Sequence, residues 1–173
     1  MEAGRTSDPI EPHASIEDLV ASFDIAKFGR APPKLDPEEL KALNAKLVHT
    51  LPYEAVRTRV PGGAAFWEAV RPNVATVAEA AEWWRIVEGP VPPPPGEERG
   101  FLREAAALLP PEPWDDATWP AWTKAVAAAS GRKGKPLFLP LRLALTGKEH
   151  GPEMRLLLPL IGRARVLARL DAA

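Results

Sequence analysis

One local pattern recurs along this chain and constrains its fold more than any other feature. A capping residue is followed by a proline or an acid in the first turn, and then by apolar residues at three- and four-residue spacing. Proline supplies much of the punctuation, with 21 in 173 residues. It is tolerated in the first turn of a helix and interrupts one further in, because it lacks the N–H that the hydrogen-bond ladder needs. Asp36-Pro37-Glu38-Glu39 sets a capping acid, a proline at the first helical position and acids beside the positive helix end, and Leu40, Leu43 and Leu47 follow on one face. Ser15, with Glu17 and Asp18 behind it, opens a helix striped by Leu19, Val20 and Phe23, which Phe28-Gly29-Arg30 and Pro32-Pro33 end. Thr76-Val77-Ala78-Glu79 has the form of a capping box, and Val77, Ala80, Ala81 and Trp84 mark the buried side of its helix up to Gly89-Pro90.

The run Val91-Pro92-Pro93-Pro94-Pro95-Gly96 follows. Four consecutive prolines donate no backbone hydrogen bonds and favour an extended polyproline II rod, so the run reads as a semi-rigid joint, with a ligand segment for SH3 or WW domains as the alternative. Beyond it, Phe101, Leu102, Ala105, Leu108 and Leu109 mark a helix that stops at Pro110-Pro111, and another runs from Trp119 to Ala129, closed by Ser130-Gly131. After the basic loop Arg132-Lys133-Gly134-Lys135, Pro136 opens a helix with Leu137, Leu141, Ala144 and Leu145 on one side, Pro140 inside it and Gly147 as its stop. Gly151-Pro152-Glu153 starts the next, striped by Met154, Leu157, Leu158 and Ile161; Gly162 separates it from a last basic helix through Val166, Leu167 and Leu170. No stretch sustains the two-residue alternation of a strand. The expectation is an all-α, multihelical fold: two small helical bundles, residues 1–91 and 92–173, joined by a proline-rich linker.

Composition narrows the function. With 46% hydrophobic residues, six Trp and a net charge of −1, the chain has ample core and is not disordered throughout. The absence of Cys excludes disulfides, thiol nucleophiles and thiolate metal sites. No apolar run reaches the roughly 18 residues of a membrane span, and Met1-Glu2-Ala3-Gly4-Arg5 is no signal peptide, so a soluble, cytoplasmic protein without membrane partners is expected. The charge is uneven, however. Residues 1–91 carry a net −4 and residues 92–173 a net +3, and Arg132, Lys133, Lys135, Arg142, Lys148, Arg155, Arg163, Arg165 and Arg169 face only Glu149 and Glu153 between positions 130 and 170. Such a field attracts polyanions; a plain solvated helix face is the alternative.

Catalytic constellations are absent. His13, His49 and His150 stand apart without ligand spacing, so no metal is expected. None of Ser7, Ser15, Ser22 or Ser130 lies in a Gly-x-Ser-x-Gly elbow. Gly131-Arg132-Lys133-Gly134-Lys135-Pro136 has the flexibility and charge of a backbone-contacting loop but not the spacing of a phosphate-cradling one, and a plain surface loop fits it equally. The acidic pairs Glu97-Glu98 and Asp115-Asp116 sit in the joint or at helix starts, where solvation or the helix dipole explains them.

The C-terminal run Gly131-Arg132-Lys133-Gly134-Lys135-Pro136-Leu137-Phe138-Leu139-Pro140-Leu141-Arg142-Leu143-Ala144-Leu145-Thr146-Gly147, with Leu157-Leu158-Pro159-Leu160-Ile161-Gly162 after it, closely resembles the end of bacterial glutamyl-tRNA synthetases, class I aminoacyl-tRNA synthetases. The Pro-Leu-Arg-x-Ala-Leu-Thr-Gly string followed by a helix ending in Leu-Ile-Gly is a specific signal in that family. Thr6-Ser7-Asp8-Pro9-Ile10, Phe23-Asp24, Lys27-Phe28-Gly29-Arg30-Ala31-Pro32 and Leu43-Asn44-Ala45-Lys46-Leu47 look like the segment that follows the family's catalytic domain. The likeness spans nearly the whole chain and is loosest from residue 60 to 130. Neither a His-Ile-Gly-His-like nor a Lys-Met-Ser-Lys-Ser-like string is present. The resemblance therefore implies an anticodon-binding part that is not catalytic alone, whose partners are glutamate or glutamine tRNA and the missing catalytic domain, and whose parent enzyme uses the ATP and magnesium that this chain does not.

Carried over position by position, the resemblance implies that Arg142 hydrogen bonds an anticodon base and that Gly151, Pro152 and Met154, with Glu153 between them, pack against splayed bases; Lys133 and Lys135 are backbone-contact candidates from the charge of their loop alone. An interhelical salt bridge is the alternative role for Arg142, and ordinary core for Met154. Where discriminating family members read the third anticodon base with an Arg, this chain has Asn73, with Arg71 two residues earlier as a substitute. If about five basic groups of residues 130–170 met phosphates, affinity would fall with salt at a slope of roughly −3.5. A function of another class stays open, a helical protein-interaction module using the tetraproline joint or an exposed Trp surface.

Overall fold

The computed structural model describes residue 13 and residues 15–27, 36–93 and 96–171. The Thr6–Ile10 string, the Phe28-Gly29-Arg30 stop, the Pro32-Pro33 break and Pro94-Pro95 of the joint lie outside the described residues. The rest folds into α1 (Ile16–Ser22), α2 (Pro37–Thr50), α3 (Tyr53–Val56), α4 (Gly63–Val70), α5 (Ala80–Glu88), α6 (Arg99–Ala107), α7 (Thr118–Ser130), α8 (Lys135–Thr146), α9 (Met154–Ile161) and α10 (Arg163–Asp171). Among the described residues there is no strand, as the absence of alternation predicts.

The caps follow the sequence signals with one exception. Ser15 Oγ accepts from the Asp18 N–H at 3.1 Å, and Asp36 Oδ1 from the Glu38 N–H at 2.9 Å, so each satisfies an orphan donor of its helix. At Thr76 the box closes differently. The Glu79 carboxylate accepts from the Ala75 N–H and the Thr76 hydroxyl, both at 2.9 Å, and a 3₁₀ turn at Val77–Glu79 precedes α5. The helix thus begins later than the box suggests, and its buried face is Ala80, Trp83 and Val87, with Val77, Ala81 and Trp84 only half-buried. Similarly, α8 starts at Lys135, which places that lysine in the first helical turn rather than in the loop.

One hydrophobic cluster runs from Val48 to Leu170 and includes Phe66, Trp67, Leu102, Trp122, Leu141, Leu157 and Leu158, so helices on both sides of position 92 share it. Within it α10 packs on α6 and α8, and α9 packs on α4, α5 and α7. The expected stripe of α9 faces inward here, with Met154, Leu157, Leu158 and Ile161 buried, and in α10 Val166 and Leu170 are buried while Leu167 is half-buried. Two buried indoles meet the requirement that their N–H find an acceptor, with Trp67 donating to the Leu51 carbonyl at 2.8 Å and Trp122 to that of Ala105 at 2.9 Å. The first two helices differ. Burial in α2 is confined to Val48 with Leu40 exposed, and α1 buries nothing, so the stripe of Leu19 and Val20 faces outward rather than into this core.

Candidate nucleic-acid interface

The end of α8 and the start of α9 assemble most of the residues singled out above. Gly147, in a left-handed conformation, stops α8, and the Thr146 hydroxyl donates to the Arg142 and Lys148 carbonyls, which folds the chain back toward α9. Arg142 then ties the two helices together. Its Nη1 and Nη2 donate to the Pro152 carbonyl at 3.1 and 3.0 Å, and its Nε is buried without a partner. Neither salt bridge nor free side chain describes it: it is a half-buried cation anchored on a carbonyl, and desolvation holds its pKa below the ordinary arginine value. Gly151 stands beside it at φ +140°, a conformation that L side chains rarely adopt, with the Trp83 ring against one face and Arg142 Nη2 3.1 Å from where a Cβ would be. Pro152 is buried, and Met154, only 6% exposed, belongs to the core while its edge floors the cleft described next.

That cleft, of about 320 Å³, is lined by Trp119, Pro120, Phe138, Arg142, Glu153, Met154 and Arg155. The rings of Trp119 and Phe138 lie 6.4 Å apart at 37°, and Trp119 is braced edge-on by Trp122 at 5.6 Å. Phe138 is 44% exposed. Arg155 at the rim is paired with Glu153, whose hydrogen bond and charge raise its pKa. Trp119 and Phe138 had no site role in the sequence and Arg155 only a place in the basic count, since the three come from separate elements. A signal existed for one of them: Phe138 falls off the Leu137, Leu141, Ala144, Leu145 stripe of its helix, and a large aromatic ring off the buried face invites a search for another role.

The remaining expected residues sit elsewhere. Lys133 and Lys135 flank the start of α8, exposed and without an ion pair among the described residues, about 10 Å along the helix from Arg142. Arg71 and Asn73 lie in the 3₁₀ turn after α4, packed against α2 and α4. Arg71 pairs with Glu68 at 2.6 Å and donates to the Leu51 carbonyl at 3.3 Å, whereas Asn73 is exposed.

The basic tail is correspondingly less available than its charge suggests. Arg169 is buried on the carbonyls of Leu145, Ile86, Val87 and Gly89. Arg165 pairs with Glu88, Arg163 donates to the Pro110 carbonyl, and Arg132 pairs with Glu98 while lying 4.0 Å over the Phe101 ring. Four of the nine cations thus hold helices together. Lys133, Lys135 and Lys148 face solvent without an ion pair among the described residues, with Arg142 and Arg155 at the cleft. Among the described residues no group of three His, Asp or Glu is placed to hold a metal, and no helix is long and apolar enough to cross a membrane.

The fold is shared with part of solved tRNA ligases. It superposes on a glutamate tRNA ligase from Elizabethkingia meningosepticum, solved in complex with its amino acid, at a TM-score of 0.74 and 17% identity, over 91% of this chain and 36% of that one. The glutamate-tRNA synthetase of Elizabethkingia anophelis gives 0.72 over 91% and 35%. Residues 43–173 match the family model of the anticodon binding domain, and the chain belongs to that family. Curated relatives include glutamate–tRNA ligase 1 of Rhizorhabdus wittichii, 56% identical over 97% of this chain and 39% of the relative, and glutamate–tRNA ligase 2 of Acidiphilium cryptum, 53% identical over 98% and 38%. The chain therefore spans about two fifths of the length of these relatives.

Proposed function

We propose that this chain is the tRNA-holding part of a glutamate–tRNA ligase of the cytoplasm, and that it grips the anticodon stem-loop of glutamate tRNA in the Trp119–Phe138–Arg142 cleft. The cleft is the observation that carries this reading. Unpaired bases are recognised by stacking on aromatic faces and by planar guanidinium groups, and this site supplies both. Arg142 suits the task because it is held and not exhausted: a guanidinium has five N–H donors, and the Pro152 carbonyl takes two. Lys133, Lys135 and Lys148 would meet phosphates. Since Arg71 is engaged by Glu68 and the Leu51 carbonyl, the exposed Asn73 is the group left for the third anticodon base. It lacks the fork of an arginine, which weakens rejection of glutamine tRNA. The parts 1–91 and 92–173 act as subdomains joined through the shared core, and aminoacylation, with its ATP and magnesium, belongs to the rest of such a ligase.

Two measurements test this. With three lysines on the phosphates of a single-stranded loop, the affinity for a hairpin RNA carrying the glutamate anticodon falls with salt at a slope of about −2, shallower than charge counting gives; a slope steeper than about −3 places the structural arginines on RNA after all. Replacing Arg142 with Ala weakens binding by about 1–3 kcal/mol for the glutamate anticodon and much less for a substituted one, while Lys133→Ala weakens both evenly. Equal losses from both variants on every RNA refute base reading by Arg142.

A further inference from the structure

We infer that Trp83, on α5 and far in sequence from the cleft, is a positioning residue for anticodon reading that acts through Gly151 and Arg142. This inference rests on the anticodon reading above. The benzo edge of the Trp83 indole, Cζ2 and Cη2, occupies the space that a Cβ on Gly151 would need. Arg142 Nη2 lies 3.1 Å from that same missing Cβ, and the next residue, Pro152, presents the carbonyl that Arg142 grips. The turn therefore touches both groups: the Trp83 ring, from the first half of the chain, packs against Gly151, and the guanidinium at the cleft holds the Pro152 carbonyl. Trp83 is 8% exposed and belongs to the shared core, so its ring has a fixed place to push from. Lys148 Nζ, 6.0 Å from the ring centroid, covers the ring from the same loop.

The direction of the effect follows from chemistry. Among the described residues no carboxylate pairs with Arg142, and its hydrogen-bonded anchor is one carbonyl on a turn whose glycine has unusual backbone freedom. Removing the wall behind that turn lets the Pro152 carbonyl drift, and the guanidinium drifts with it. Contacts to phosphate tolerate such drift, whereas hydrogen bonds to a base edge do not. Loss of the wall should thus lower discrimination between anticodons before it lowers affinity.

Trp83→Phe removes the benzo edge and keeps an aromatic ring in the core. Binding of the full chain would be titrated with two hairpin RNAs, one with the glutamate anticodon and one with its three anticodon bases replaced. The affinity ratio between them is expected to fall about five-fold in Trp83→Phe, with binding to the replaced hairpin changed by less than about two-fold, and the same substitution in an Arg142→Ala background is expected to leave the ratio within about two-fold. In the free protein, Trp83→Phe is expected to speed hydrogen exchange at the buried Arg142 Nε–H by at least about ten-fold. An unchanged Nε–H exchange rate overturns the inference, as does equal weakening on both hairpins or an undiminished effect without Arg142. Should the unaltered chain bind both hairpins alike, the anticodon reading itself fails, and the exchange rate still decides whether Trp83 positions Arg142.

Discussion

Arg169→Ala is expected to lower the free energy of unfolding by about 3–5 kcal/mol, because it removes a buried guanidinium and leaves the carbonyls that it satisfies without that donor. The side chain is 7% exposed and makes no ion pair among the described residues. It donates instead to four carbonyls: Leu145 at 2.7 Å from Nη1, and Ile86, Val87 and Gly89 at 2.6, 2.9 and 2.9 Å from Nη2. These carbonyls lie at or just past the C-terminal ends of α5 and α8. The last carbonyls of a helix have no partner within it and carry the negative end of its dipole. One guanidinium from α10 therefore caps two helices from different halves of the chain, which explains how a cation is tolerated in the core. Desolvation first, then the nearby Arg165 charge, lowers its pKa, and Glu88 opposes this.

Lysine is no substitute, since a single nitrogen cannot reach both helix ends, and Arg169→Lys should lose most of the same stability. Urea titration followed by circular dichroism measures this, and thermal melting should show a midpoint lower by about 10 °C. The neighbouring Arg165–Glu88 pair is the contrast. Both partners are 42% exposed, so solvent screens the attraction and Arg165→Ala should cost at most about 1 kcal/mol. A loss below about 1 kcal/mol for Arg169→Ala would mean that water or neighbouring groups satisfy those carbonyls as well as the arginine does.

Arg169 also marks where charge counting in a sequence stops being informative. A tally of basic residues from 130 to 170 treats all nine alike, yet an arginine's flat fork is as suited to carbonyls inside a protein as to phosphates outside it. The clue was phase: Arg169 stands three residues after Val166 and next to Leu170, on the buried stripe of its own helix. Local signals fared well because local chemistry decides them, as with the caps at Ser15 and Asp36 and the inward stripe of α9. Periodicity says which side of a helix is apolar but not what lies against it, hence the outward-facing residues of α1. The cleft was legible only in part. Arg142 and Met154 line it, with Gly151 and Pro152 behind Arg142 and not in the lining, while Trp119 and Trp83 reach this region through tertiary packing that no local pattern encodes.

Gly151→Ala should be as damaging as any single methyl added to this protein, and in two separable ways. At φ +140° an alanine carries backbone strain of about 1–3 kcal/mol. Its Cβ would also overlap the Trp83 ring and press on Arg142 Nη2, and forcing extra volume into packed surroundings adds about 1–3 kcal/mol. Gly131→Ala separates the two effects: that glycine has φ +70° with nothing within 4 Å of an added Cβ, so only the left-handed cost of about 1–2 kcal/mol applies. Urea titration of both variants should therefore show a clearly greater loss at Gly151. The damage at Gly151 should also extend to function, because relief of the overlap moves either the Trp83 wall or the guanidinium that Pro152 anchors. Binding to the hairpin with the glutamate anticodon should drop toward that of the hairpin with replaced bases, while Gly131→Ala keeps the distinction. If Gly151→Ala folds as stably as Gly131→Ala and still tells the two hairpins apart, the turn at 151–152 does not aim Arg142, and the base-reading role must lie with the aromatic walls alone.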